Sequence, residues 1–90
     1  MEISASITVK GLVQGVGFRY FVFSVATKLS LRGYTRNLFN GDVEIEVEGN
    51  RSAIEALIKE VKVGPRMSRV TDLVVEWKPP TNTYKQFSIK

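Results

Sequence analysis

The residues best suited to chemistry lie in one glycine-rich stretch, Gly11-Leu12-Val13-Gln14-Gly15-Val16-Gly17-Phe18-Arg19. Gly15 and Gly17 bracket a turn, and Arg19 stands at its far end. Backbone N–H groups in such a turn can converge on an anion, because glycine allows positive φ and close approach. A helix-type pattern follows, yet Val16 to Tyr20 contains no Ser, Thr, Asp or Asn to cap it. The first N–H groups of that helix therefore lack a side-chain acceptor, and a phosphate would supply one. Arg19 adds a permanent charge and a planar fork of donors. The chemistry indicated is capture of an oxyanion. The plainer alternative stays open: a tight β-to-α turn whose glycines serve geometry alone, followed by a solvated arginine.

The rest of the inventory narrows that chemistry. The chain has 90 residues, with no Cys and no His. It therefore has no disulfide, no thiolate nucleophile, and neither the commonest metal ligand nor the commonest general base. No cofactor is expected. Glu44, Glu46 and Glu48 alternate at strand spacing, which reads as a solvated acidic face rather than a metal row. Arg66 and Arg69 read as surface charges. The net charge of +4 suits anionic partners without separating nucleic acid from a small phosphate. A single domain over residues 1–90 is expected. No apolar run approaches the length of a membrane span, and Met1 to Ser6 lacks the regions of a signal peptide, so a cytoplasmic, membrane-free protein is expected.

The elements that must hold the turn follow from periodicity. Ala5, Ile7 and Val9 alternate with Ser6, Thr8 and Lys10, which predicts a strand over Ser4 to Val13. Phe18, Val22, Val25, Ala26 and Leu29 recur at helical spacing, with Phe21 widening the stripe. The predicted helix runs from about Phe18 to Ser30, with Gly33 as its stop signal. Phe18 and Phe21 read as core, and Tyr20 and Phe23 as its flanks. A second strand is predicted over Tyr34 to Phe39, and a third carries Val43, Ile45 and Val47, with Asn40-Gly41 as the hairpin signal between them. A two-residue turn there would pair Arg36 with Ile45 on the buried face. A longer turn or a bulge is therefore expected, turning Arg36 outward. Ser52-Ala53-Ile54-Glu55 has capping-box spacing ahead of the stripe Ile54, Leu57, Ile58 and Val61, which Gly64-Pro65 ends. A fourth strand is predicted over Val70 to Trp77, and a short last one over Gln86 to Lys90, with Phe87 and Ile89 inward. The order is βαββαβ plus a short C-terminal strand. Two amphipathic helices can cover only one face, which predicts an α+β two-layer ferredoxin-like sandwich with an antiparallel sheet.

The stretch from Gly11 to Arg19 closely resembles the signature of the acylphosphatase family. A second stretch, Leu31 to Leu38 with Asn40-Gly41-Asp42-Val43-Glu44, resembles that family's other motif. The likeness extends over almost the whole chain, to Gly64-Pro65 and Phe87-x-Ile89. Ser30 stands where the family usually has Gly, Tyr34 where Trp is common, and Phe39-Asn40 where Pro-Asp is usual. The resemblance implies hydrolysis of an acyl phosphate to a carboxylate and inorganic phosphate, by direct water attack, without metal or covalent intermediate. It implies that Arg19 binds the phosphate and that Asn37 orients the water. The backbone amides of Gln14, Gly15, Val16, Gly17 and Phe18 complete the cradle. Inorganic phosphate is then both product and competitive inhibitor.

The residue inventory permits that reaction. An acyl phosphate departs as a carboxylate, which needs little protonation. Transfer through a loose transition state rests on positioning and charge stabilisation. Asn37 can accept from water through its carbonyl, but it is not basic. Two competing functions remain in view. An RNA-binding sheet face needs exposed aromatics in basic surroundings, whereas the third strand presents Asp42, Glu44, Glu46 and Glu48. No nucleic-acid partner is expected, and a monomer is. An anion-binding regulatory domain would share the cradle without turnover, and domains of this kind occur within larger carbamoyl-transfer proteins.

Overall fold

Alternation of apolar and polar residues sets up five strands, and two helical stripes close over one side of them. The computed structural model describes Met1–Lys90. The elements are β1 (Glu2–Leu12), α1 (Phe18–Lys28), β2 (Arg32–Asn37), β3 (Val43–Asn50), α2 (Arg51–Val63), β4 (Arg69–Lys78) and β5 (Phe87–Ile89). The sheet order is β4-β1-β3-β2-β5. The first four strands pair antiparallel, but β5 runs parallel to β2, so the sheet is mixed rather than purely antiparallel. α1 packs over β2 and β5, and α2 over β1, β3 and β4. The layers and element order are those of a ferredoxin-like sandwich.

The inward alternates build the core. Ala5, Ile7 and Val9 of β1 face Val47, Ile45 and Val43 of β3, and all six are buried. Phe18, Val22 and Ala26 of α1 and Ile54, Leu57 and Val61 of α2 cover them. Leu73, Val75 and Trp77 of β4 are only half-buried, because β4 is an edge strand. Truncating a residue such as Leu57 would remove about 2–5 kcal/mol of stability.

The β2–β3 register resolves the placement of Arg36. Thr35 lies opposite Ile45, Arg36 opposite Glu44 and Asn37 opposite Val43. Leu38–Asp42 forms the connection, closed by Leu38 N–H donating to the Asp42 carbonyl at 2.9 Å. The longer turn faces Arg36 outward, where it pairs with Glu44. It also places Asn37, two residues on from buried Thr35, on the helix-covered side of the sheet.

Three local expectations are corrected. α1 stops at Lys28, with Ser30 rather than Gly33 supplying the left-handed residue (φ 59°). Gly33 instead lies within β2, where a Cβ would collide with the Glu46 carbonyl of the neighbouring strand. The cap of α2 is Asn50, whose side chain accepts from Ser52 N–H at 3.0 Å, so the Ser52/Glu55 capping box does not form. Glu55 pairs with Arg51 one turn back. Ile89 is 41% exposed rather than inward, while Phe87 is buried.

Glu48 also departs from the solvated acidic face. Glu44 pairs with Arg36 and Glu46 with Lys78, but Glu48 is fully buried (0% exposed) beneath the β4–β5 connection. Burial would raise its pKa. Donation from the Thr81 N–H and hydroxyl, the Asn82 N–H and the Ser4 hydroxyl outweighs that and holds it at about 2. The folded-state pKa lies below the ordinary value of 4.5. This carboxylate's contribution to stability is therefore complete above that pH and is lost as pH falls towards about 2. Glu48→Gln should cost about 2–4 kcal/mol at neutral pH and flatten the acid limb of the stability curve. Urea midpoints between pH 7 and pH 3 check this; an unchanged acid limb in Glu48→Gln would transfer the effect to other carboxylates.

Candidate active site

The site begins where β1 can no longer continue as a strand. A bulge separates Lys10 from Gly11 in the pairing with β4, and the strand ends at Leu12. Buried Val13 anchors the chain, which then turns through Gly15 (φ 74°) and Gly17 (φ 76°) into α1. Neither glycine is crowded, so the backbone angle is what requires glycine at these positions. Gly17 is the N-cap of α1, and no side chain caps the helix. The first cross-turn bond of the helix runs from Phe21 N–H to the Gly17 carbonyl at 3.0 Å. The N–H groups from Gln14 to Phe18 have no protein acceptor among the turn and cap bonds. Such a helix N-terminus carries the partial positive charge of the macrodipole as well as unused donors.

A cleft of about 200 Å³ opens at this turn, lined by Val13, Gly15, Gly17, Phe18, Arg19, Tyr20, Asn37 and Ile89. Three segments far apart in sequence therefore meet there: the glycine turn with the start of α1, the end of β2, and β5. Of the candidate residues, Gly15, Gly17, Phe18, Arg19 and Asn37 share the cleft. Gln14 and Val16 do not line it. Val16 packs against the core. Gln14 lies beside it, in a second depression with Arg36, Asn37, Leu38 and Phe39.

The Gln14 side chain has a distinct task. Its Nε2 donates to the carbonyls of Leu38 (2.7 Å) and Asp42 (2.8 Å). These two carbonyls span the base of the β2–β3 connection, so Gln14 ties the glycine turn to the loop that follows Asn37. Arg19 Nη1 donates to the backbone oxygen of Lys90 at 2.7 Å. Lys90 N–H in turn donates to the Thr35 carbonyl at 2.8 Å, on the same strand as Asn37. Both contacts escaped the sequence reading. The Arg19–Lys90 contact depends on β5 docking beside β2, which no local pattern signals. The Gln14 contacts depend on the length of the Leu38–Asp42 connection.

Arg19 is the one charged residue lining the cleft. No group of three Asp or Glu side chains lies close enough to hold a metal ion. The arrangement offers unpaired N–H donors, a tethered guanidinium and a neutral amide, which suits a tetrahedral oxyanion and an attacking water.

Fold and cleft together define a ferredoxin-like domain with a glycine turn of unpaired N–H donors at its first β–α junction. The acylphosphatase family model matches residues 5–89. An acylphosphatase of Clostridium beijerinckii is 46% identical over 88 residues, covering 98% of both chains. The crystal structure of acylphosphatase from Bacillus subtilis superposes with a TM-score of 0.95 at 41% identity, covering 98% of both chains. Full-length HypF, in its phosphate- and nucleotide-bound form, contains a similar region (TM-score 0.87, 36% identity), which covers 100% of this chain and 12% of that one. The chain belongs to the acylphosphatase family, hydrolases of the carboxyl–phosphate bond.

Proposed function

We propose that the cleft at the first β–α junction performs the acyl phosphate hydrolysis of this family, with Arg19 and Asn37 as its catalytic residues. The observation that carries this reading is that Gly15, Gly17 and Phe18, whose amides have no protein acceptor, line one small cleft together with Arg19 and Asn37. The phosphate oxygens accept from the amides of Gln14, Gly15, Val16, Gly17 and Phe18 and from the free donors of Arg19. Asn37 accepts a hydrogen bond from water through its carbonyl and donates to a phosphate oxygen through its amide. The water oxygen attacks phosphorus while the bond from phosphorus to the acyl oxygen breaks, and the carboxylate leaves. The water's proton passes to a phosphate oxygen, since no carboxylate or imidazole lines the cleft to accept it. Positioning and charge stabilisation supply the rate.

The same reading covers the remaining expectations. Residues 1–90 act as one domain built on one core cluster, as a monomer in the cytoplasm. No helix is long and apolar enough to cross a membrane. The open sheet face pairs its charges internally, Lys10 with Asp42, Arg36 with Glu44 and Lys78 with Glu46, which disfavours a nucleic-acid partner.

Benzoyl phosphate should be hydrolysed at an undiminished rate in EDTA, and inorganic phosphate should inhibit competitively because it occupies the same donors. Initial rates over a substrate series with and without phosphate check both. Activity lost in EDTA and restored by a divalent ion, or inhibition that lowers kcat with KM unchanged, would contradict this site.

A further inference from the structure

The proposed mechanism asks Asn37 to aim a water, yet its own strand holds it only loosely. It is the last residue of β2 and pairs with Val43 of β3. On the other side of β2, the pairing with β5 stops at Thr35. The Asn37 side chain is exposed, so its aim is set by the backbone that carries it. A strand end held from one side opens locally at far lower cost than the core.

The Gln14 side chain supplies the missing tie from the glycine turn, reaching Leu38, 24 residues further along the chain. The connection after Asn37 folds on itself through two bonds. Leu38 N–H donates to the Asp42 carbonyl at 2.9 Å, and Gly41 N–H donates to the Leu38 carbonyl at 3.2 Å. Each of these carbonyls has a second lone pair, and Gln14 Nε2 donates to both, at 2.7 Å and 2.8 Å. Both hydrogens of the Gln14 amide are thereby used. Two facing carbonyls also fix which end of the amide is nitrogen. The main chain of the same residue belongs to the turn that receives the phosphate.

We infer that the Gln14 side chain is a positioning residue for the hydrolysis: it sets the distance and angle between the phosphate turn and Asn37, and so acts on kcat through Asn37. This rests on the cleft being the hydrolytic site with Asn37 aiming the water. Misplacing a reacting group by ~1 Å can cost about 10²-fold in rate. Phosphate binding, by contrast, uses the turn amides and Arg19 and does not need the tie.

The test uses Gln14→Met, which keeps the length of the side chain and removes both donors. The two carbonyls keep their bonds within the connection and can turn their free lone pairs to water, so the variant should fold. Its kcat per folded molecule should fall about tenfold, with KM and the competitive inhibition constant of inorganic phosphate within about twofold of wild type. Gln14→Asn, one methylene too short to reach both carbonyls, should fall with it. The urea midpoint of each protein fixes the folded fraction. A double-mutant cycle then tests the route: in an Asn37→Ala background, Gln14→Met should cost no further kcat, because the group it positions is gone. Wild-type kcat per folded molecule in Gln14→Met, with only a lower urea midpoint, would make the tie purely structural and overturn the inference. So would a full tenfold loss repeated in the Asn37→Ala background, or a loss carried by KM and phosphate inhibition. Those results would leave the hydrolytic site standing. Near-normal kcat in Asn37→Ala alone would instead remove the mechanism on which the inference rests.

Discussion

Arg19→Lys should lose almost as much activity as Arg19→Ala, with kcat/KM down by about 10³-fold in both. The reason lies in how the guanidinium is held. One of its nitrogens, Nη1, is committed to the Lys90 backbone oxygen at 2.7 Å. The rigid plane then points the remaining N–H groups in a fixed direction, so the same side chain is tethered on one edge and free on the other. A lysine ammonium is a single point. It can donate to the Lys90 oxygen or turn to the phosphate, but it cannot hold one contact while aiming two parallel donors at the other. Keeping the positive charge is therefore insufficient. Inhibition by inorganic phosphate should weaken in both variants, because in the proposed mechanism the same donors bind product. Folding should survive, since Arg19 is only half-buried and outside the apolar core. Steady-state kinetics, phosphate inhibition and a urea midpoint on each variant check the set. Near-normal kcat/KM in Arg19→Lys would mean that charge alone suffices and that the fork has no role.

The turn, the helix start and the strand register around this cleft are legible in the sequence, for physical reasons that differ by residue. Gly15 and Gly17 announce positive φ because few other residues tolerate it, and both adopt it. The uncapped start of α1 was visible because a capping side chain is a local, one-residue signal. Arg36 could be oriented because period-two alternation punishes a wrong register on every inward position of the strand. What stayed hidden depends on contacts between distant segments. Gly33 looks like a helix stop when read locally, yet its backbone is constrained by the neighbouring Glu46 carbonyl. Ser30 hides the true stop by holding a left-handed angle without being glycine, at the position where the family usually has Gly. Glu48 reads as one more solvated alternate of β3, and only the return of Thr81 and Asn82 over it makes it a buried anchor. Ile89 follows the alternation expected of an inward residue, but it ends an edge strand and lines the open cleft, which leaves it partly exposed.

Asn37→Ala should separate binding from chemistry, with kcat and kcat/KM falling together by about 10²-fold or more while KM changes little. The backbone supports such a clean result. Asn37 is the last residue of β2, paired with Val43, and the loop beyond it is tied down by Gln14 through the Leu38 and Asp42 carbonyls. Removing the Asn37 amide leaves those ties in place, so the turn amides and Arg19 keep their positions and phosphate still binds. On the proposed mechanism, what disappears is the acceptor that aims a water at phosphorus, an interaction that matters chiefly in the transition state. Competitive inhibition by inorganic phosphate should therefore persist in Asn37→Ala and weaken in Arg19→Ala. The alternative is that Asn37 serves only the end of the strand. In that case the variant should be modestly less stable, and turnover per folded molecule should match the wild type. Measuring kcat, phosphate inhibition and the urea midpoint on one preparation decides between them. A folded Asn37→Ala protein with near-normal kcat would take Asn37 out of the reaction, and the orientation of the water would then fall to the turn amides and the phosphate itself.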